Sequence, residues 1–318
     1  MPVTLAQAKL NVQTDLDAYV IDEFRKSSFL LDNMPFHDAV SPTGGGATPT
    51  YGYTRLITQP TADFRAVNEE YTPSEVKKQR YNVDLKIFGG AFEVDRVIAG
   101  MGGIVDEVQL QMEQKIKAAG ALFNDTVING NSATDAKEFD GLDVALTGSD
   151  TEFNKTTAID LSTSATIDTN YKAFVDMMDE FLSLLNGTPS FIAGNTKAIA
   201  KVRAIARRVG QYQMTQNDLG QTITTYGGIP LVDLGAKPGT NDPVVGINGS
   251  GETSLYAARF DLMDGFHGVS MNGQPIIRTW LPDFTTAYAV KRGEVEMVAA
   301  VALKATKGAA VFRKIKVQ

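Results

Sequence analysis

Two stretches of alternating apolar and polar residues stand close together near the start of the chain. Tyr51, Tyr53, Arg55 and Ile57 recur at every second position of an outgoing limb, and Tyr81, Val83, Leu85 and Ile87 do so on a returning limb. That is the period of a half-buried strand. Between them, residues 61–80 carry Asp63, Arg65, Glu69, Glu70, Glu75, Lys77, Lys78 and Arg80. Such a segment is too polar to build a core, and it is far longer than the ~2–5 residues of an ordinary hairpin loop. A limb of about 14 extended residues would reach roughly 45 Å at about 3.3 Å per residue. Two strands alone are marginally stable in water. The pattern therefore predicts that residues 51–98 form an arm with little to fold onto in their own chain, completed by another subunit.

The period changes to 3.6 on either side of this arm. Leu5, Ala8, Val12, Leu16, Val20 and Phe24 predict an amphipathic helix over residues 4–26. Leu30, Leu31, Met34 and Phe36 follow as a short apolar anchor, and the Gly44, Gly45, Gly46 run then gives a hinge over residues 41–49. Helix, anchor and hinge together read as a segment outside the main core. After the arm, Ile104, Val108, Met112, Ile116, Ala119, Phe123 and Val127 make one stripe of a helix over residues 104–128, with Asp106 and Glu107 in its first turn. At 1.5 Å per residue it would be roughly 37 Å long, the length of a spine along an elongated subunit. A second amphipathic helix is expected from Asp168 as N-cap to Leu185, with Gly187 as its stop.

From residue 189 the pattern becomes mixed. A short buried strand at 190–193 precedes Asn195, which caps a helix running to Val209; residues 211–222 read as a loop. A strand broken at Gly227 and Gly228 follows, with further strands near 255–260, 269–280, 287–290, 295–303 and 311–317.

Composition narrows the class without deciding it. A chain of 318 residues with 43% hydrophobic and 21% charged residues can bury a sizeable core and is globular rather than disordered. A net charge of −7 argues against the whole chain being a nucleic-acid or membrane-surface binder. The end of the chain differs: from residue 285 on, seven basic residues face only Glu294 and Glu296. There is no cysteine, hence no disulfide or thiolate metal site. No secretory pattern opens the sequence and no apolar run approaches ~18 residues, so a cytoplasm-like compartment, or a particle assembled there, is expected.

The residues that carry catalysis are sparse. Only His37 and His267 exist, neither beside a second histidine at ligand spacing in sequence, and each reads as a surface or interface imidazole. Neither a P-loop nor a G-x-S-x-G elbow is present, and the triple glycine leads into a strand rather than a helix. No catalytic, cofactor or metal site is assigned. One basic helix face, Lys197, Lys201, Arg203, Arg207 and Arg208, could meet an acidic neighbour or packaged DNA, or simply face solvent. It lacks the interleaved aromatics that stack bases.

The order of these parts, with the motifs Leu30–Phe36, Phe139–Leu142 and Tyr226–Leu231, resembles the major capsid protein of tailed double-stranded DNA bacteriophages, the Hong Kong 97-type capsid fold. The resemblance covers essentially the whole chain and implies an α+β architecture. Residues 1–49 would be an N-terminal arm and 50–97 an extended E-loop. A peripheral domain would span 98–188 with spine helix 104–128, an axial domain 189–282, and a return to the peripheral domain 283–318. It further implies hexamers and pentamers that close an icosahedral head shell around double-stranded DNA, assembled in the host bacterial cytoplasm. Expected partners are copies of the chain, a scaffolding protein, a portal, a decoration protein and non-specifically packaged DNA, with no membrane and no cofactor.

On this resemblance the E-loop lies over a neighbouring subunit. Residues 51–98 hold seven basic and seven acidic residues, a neutral but dense pattern that suits register more than adhesion. Exposed pairs contribute only about 0–1 kcal/mol each, so apolar burial must support them, with Tyr51, Tyr53, Phe64 and Tyr71 as candidates. Some members of the family join an E-loop lysine to an asparagine of a neighbour; Lys77 and Lys78 lie in that region, with no matching asparagine identified and ordinary ion pairing as the simpler role. Two other readings remain open: an encapsulin-like compartment with the same fold, which the Gly-rich hinge disfavours, and an unrelated α/β enzyme.

Overall fold

The computed structural model describes residues 29–38, 49–101, 106–210, 213–216, 222–271 and 277–318. The expected helix over 4–26, the glycines of the hinge, Ile104 and much of the 211–221 segment lie outside the described residues.

The first described elements are a helical turn, α1 (Phe29–Asn33), and a strand, β1 (Phe36–Asp38). Two strands, β2 (Thr50–Thr58) and β3 (Lys77–Asp84), pair antiparallel as a separate ribbon, with Tyr53 opposite Tyr81. Then β4 (Lys86–Asp95) leads through α2 (Arg96–Gly100) into the long α3 (Glu107–Asn129) and the short α4 (Leu142–Leu146). Two minimal strands, β5 (Glu152–Phe153) and β6 (Ile159–Asp160), precede α5 (Ser164–Ser183), β7 (Phe191–Gly194) and α6 (Thr196–Val209). Strands β8 (Gln213–Gln216), β9 (Thr222–Tyr226), β10 (Ile229–Asp233), β11 (Glu252–Ala258), β12 (Phe266–Ser270), β13 (Ile277–Trp280), β14 (Val290–Leu303) and β15 (Ala309–Lys316) complete it.

These strands build two sheets. One places β12 between β1 and β14, with β4 and β13 also paired to β14. The other runs β5-β15-β11-β7-β10-β9-β8, with β6 also on β15. The sheet boundaries cross the expected segments: β12 and β13, from 189–282, pair beside β4 and β14, whereas β15, from 283–318, joins β11. The return is thus shared between both sheets. Glycines permit two close approaches. A Cβ at Gly268 would lie 2.4 Å from the Phe36 ring, so β1 can lie flat on β12, and one at Gly89 would lie 1.9 Å from the Val295 carbonyl.

α3 is the long helix expected after the arm. Asp106 is its N-cap rather than a first-turn residue, accepting from the amides of Val108 (2.9 Å) and Gln109 (3.2 Å). Met112, Ala119, Phe123, Val127 and Ile128 bury its apolar stripe. The second helix begins earlier than Asp168: Thr163 caps it in a reciprocal pair with Thr166, while Asp168 lies within the helix and pairs with Arg208. A threonine cap five residues upstream wins because Ile167 must already face the core. Asn195 caps α6 as expected, its side chain accepting from Ala198 N at 2.8 Å, and Gly210 ends that helix in a left-handed conformation. β8 occupies part of the expected loop after it, paired with β9. Gly227 and Gly228, at φ +56° and +83°, make the turn between β9 and β10.

The anchor belongs to the main core, contrary to its expected place outside it. Leu30 is 0% exposed and Met34 nearly so, in the cluster that includes Phe123, Phe191 and Phe266. Leu31 and Phe36 pack against that cluster half-buried, and the Phe29 ring meets Phe191 edge-on at 5.6 Å. Fully burying Leu or Met contributes about 1.5–3 kcal/mol each. The N-terminal segment is therefore fastened at residues 29–38 before the arm begins.

Candidate functional site

Alternation along β2 and β3 stops partway. Tyr51, Tyr53 and Arg55 on β2, and Tyr81 and Val83 on β3, are half-buried; from Leu56 to Arg80 every residue is exposed. The ribbon thus has a seated root and a free distal part. The returning limb ends sooner than its pattern suggested: Leu85 is buried, and β4 beyond it pairs with β14 over ten residues, from Val290 opposite Asp95 to Ala299 opposite Lys86. The free arm is the 56–80 segment, not the whole of 51–98.

The root rests on the outer face of β12 and β14. Leu85, Val269 and Ala302 form a small buried cluster there, joined by Tyr51, Tyr53 and Val83. Tyr51 and Tyr53 are thereby partly covered by their own chain. Polar contacts fasten the same place. Tyr53 Oη donates to Leu303 O at 2.9 Å, Arg55 Nε donates to Lys304 O at 2.6 Å, and a second Arg55 nitrogen donates to Leu303 O. The Arg55 guanidinium also lies 4.4 Å from the Tyr81 ring centre, and Tyr81 stacks on Tyr53 at 5.7 Å. One cation thus satisfies the last carbonyls of β14 and clamps both strands of the ribbon. Burial raises the Tyr53 phenol above its usual range, against the opposing pull of Arg55.

The distal loop is ordered by local polar contacts. Ser74 Oγ accepts from Thr61 N at 3.1 Å and donates to Thr61 O at 3.2 Å, closing the base. At the tip, Asn68 adopts φ +72°, Glu69 accepts from Ala66 N, and Arg65 donates to Glu69 O while covering Tyr71 at 5.4 Å. Phe64 and Val67 stand fully in solvent, with Tyr71 also exposed. Among the described residues, no ion pair joins Glu69, Glu70, Glu75, Lys77, Lys78 or Arg80 to another side chain. Arg80 does donate to Asn82 Oδ1 at 3.2 Å.

A second apolar surface is exposed where β4, β13 and β14 end: Val97, Ile98, Met101, Trp280, Leu281 and Tyr288. Tyr288 sits at φ +90°, a conformation costing a bulky side chain about 1–3 kcal/mol. Sequence reading missed this surface, because its members are scattered between positions 97 and 288.

The basic face of α6 is largely engaged within the chain. Lys197 donates to the Gln318 side chain, Lys201 to Ser162 O at 2.6 Å, and Arg208 to Asp168 at 2.6 Å and Ser164 Oγ at 2.8 Å. Arg203 and Arg207 remain exposed on its outer side.

Both histidines differ from expectation. His267, on β12, is 0% exposed, and the fold brings His37, on β1, to a ring separation of 6.3 Å. Burial lowers the His267 pKa to about 4, with Lys304 adding to the effect.

A polar cleft of about 460 Å³ lies where Asp143, Tyr256 and Arg313 meet. Arg313 binds Asp143 and Glu152 at 2.6 Å each, and Tyr256 donates to Asp143 at 2.7 Å. Burial and the Asp143 charge keep the Tyr256 phenol protonated. For Glu152, burial is outweighed by the Gly148 amide and Arg313, which hold its carboxyl below the usual range. Every group here has its partner, so the cleft works as a tie between α4, β5, β11 and β15. Among the described residues, no cluster of three or more His, Cys, Asp or Glu could hold a metal ion, and no helix is long and apolar enough to cross a membrane.

No family model matches the sequence, and no curated protein matches it. Solved structures do match over the full length. The holo-SrpI encapsulin complex from Synechococcus elongatus PCC 7942 superposes with a TM-score of 0.68 at 14% identity, covering 99% of this chain and 97% of that one. Microbacterium phage Oxtober96 gives 0.63 at 14% identity with 100% of both chains covered. The capsid of the native GTA particle gives 0.60 at 10% identity, covering 98% and 97%. Coverage of this extent includes the arm, the spine helix and both sheets, not a shared core alone. The chain has the Hong Kong 97-type capsid fold.

Proposed function

We propose that this chain is the major capsid protein of a tailed phage, which assembles through its arm into hexamers and pentamers of an icosahedral head. The observation that carries the reading is the division of the arm. Its root is fastened to its own sheet by Tyr53 and Arg55, while Phe64, Val67 and Tyr71 are carried outward and stand exposed among the described residues. A monomer gains nothing from holding three large apolar side chains in water. A neighbouring copy that covers them gains roughly 25 cal/mol per Å² removed from water. The charges from Glu69 to Arg80, which form no ion pair among the described residues, then select register.

The surface around Trp280, Leu281 and Tyr288 supports the same reading, since it too is exposed among the described residues. Arg203 and Arg207 are the part of the α6 basic face free to meet an acidic neighbour or packaged DNA. A scaffolding protein, a portal and a decoration protein complete the expected partners, and the host bacterial cytoplasm is the expected place of assembly. The chain acts as a structural subunit rather than as an enzyme. The encapsulin match supports a second reading, a compartment that encloses protein cargo. Shells purified from an expressing phage-infected or lysogenic host distinguish the two by content: packaged double-stranded DNA and a portal vertex support the head, whereas an enclosed enzyme and no DNA would replace it with the compartment.

A further inference from the structure

The two histidines of the chain meet where the arm is seated. His267 lies on the face of β12 that the arm covers, two residues before Val269 of the buried root cluster. Its neighbours come from three elements. His37 of β1 approaches at 6.3 Å between ring centres, and Tyr51 of β2 stands edge-on at 6.0 Å. Tyr51 also lies 5.1 Å from His37, and the ammonium of Lys304, just past β14, covers the Tyr51 ring at 5.6 Å. Among the described residues, neither ring nitrogen of His267 has a well-aligned hydrogen-bond partner, nor does Nδ1 of His37.

A buried imidazole with both nitrogens unpaired is tolerable only while neutral. The charged groups around it would not compensate a proton. Lys304 is itself cationic, and Arg55 lies further along β2 on the carbonyls of Leu303 and Lys304. Asp261 and Asp264, in the loop before β12, are committed to Arg259, and Asp38, the last residue of β1, points to solvent. The Tyr53 phenol, held above its usual range by burial, supplies no negative charge there. The backbone of Gly265 and Asp261 favours the charged form, but not enough to balance burial.

We infer that the paired imidazoles form a proton-operated latch on the arm. The arm lies on the sheet while both rings are neutral, and taking up a proton loosens β1 and β2 from β12 so that the charged ring reaches water. Acid thus frees the arm and the edge strand β1 while the rest of both sheets stays paired. The inference gives the arm of the proposed capsid subunit a control point, yet it concerns the chain's own seat and stands whether or not shells form.

Hydrogen exchange of the full chain between pH 7.5 and 4.5, corrected for the intrinsic pH dependence of amide exchange, tests it. Coupling to one proton predicts that protection of residues 50–58 and 266–270 falls up to tenfold per pH unit below about 6.5. Protection of α3 should stay constant. His267→Phe keeps a flat ring without the proton site and should abolish the pH dependence; His37→Phe should weaken it. Equal loss in the wild type and in His267→Phe, or none in the wild type, overturns the latch. Should His267→Phe fail to fold, the pH profile of imidazole C2–H exchange in the wild type decides. A His267 midpoint well below that of a free histidine supports the latch, and a midpoint near 6.5 overturns it.

Discussion

Replacing Arg55 with alanine should detach the arm while leaving the body folded. The side chain donates to two carbonyls at the end of β14, Leu303 O and Lys304 O, and stacks on Tyr81. Hydrogen bonds from a charged donor contribute about 1.5–3 kcal/mol each, and the lower end applies at this half-buried position. The stacking adds about 0.5 kcal/mol. The loss is about 3.5 kcal/mol of seating energy, a factor of at least about 100 in the equilibrium between seated and lifted root. Hydrogen exchange of residues 50–58 and limited trypsin cleavage at Lys77 and Lys78 read that equilibrium directly. Protection of 50–58 should fall roughly a hundredfold, while the melting temperature moves little, because Leu303 O keeps its bond from Tyr53. Arg55→Lys, which can reach one carbonyl but cannot stack a planar group, should lie between the two. Unchanged protection in Arg55→Ala would refute the claim that this cation fastens the arm.

Further outcomes follow from the same contacts. Phe64→Asp alters a fully exposed side chain, so thermal stability should change by less than about 0.5 kcal/mol while assembly into large particles, followed by sedimentation, is blocked. Asn195→Ala removes the cap of α6 and the 2.7 Å bond to Thr253 Oγ1, and should cost about 2–3 kcal/mol in denaturant melts. Leu30→Ala should cost about 2–5 kcal/mol, as expected of a residue in the main core and not of one in a loose arm. Because the folded pKa of His267 is about 4, below the ordinary 6.5, the unfolded chain takes up the proton first. Stability is therefore complete above pH 6.5 and lost as pH falls from 6.5 towards 4, by about 3 kcal/mol in total, and His267→Phe should flatten that part of the pH–stability curve.

Periodicity made the skeleton legible where one face is buried continuously. The stripe of α3, the Asn195 cap and the Gly227–Gly228 turn all have local causes and were read at their places. Legibility failed where a pattern continues but its partner changes. Tyr81, Val83, Leu85 and Ile87 alternate without a break, yet the ribbon ends at Asp84 and β4 transfers to β14, because β14 is long enough to hold strands along both edges. The anchor was misplaced for a related reason: four apolar residues show no period, and only the aromatic rings of Phe123 and Phe191, far along the chain, reveal that it is core. The histidine pair and the surface at Trp280 and Tyr288 are assembled from distant segments, and no spacing rule could have found them.

The central claim is that the distal arm joins one copy of the chain to the next. Replacing residues 65–75 with a short Gly-Ser linker removes most of the tip and leaves Tyr53, Arg55 and Tyr81 in their seat. Electron microscopy with sedimentation analysis of the purified wild type and this variant, at equal concentration, measures the consequence. The account predicts closed shells or megadalton capsomers for the wild type, and a folded subunit that does not close shells for the variant. Shells of normal size and stability from the variant, or a wild type that stays monomeric at high concentration, would contradict it.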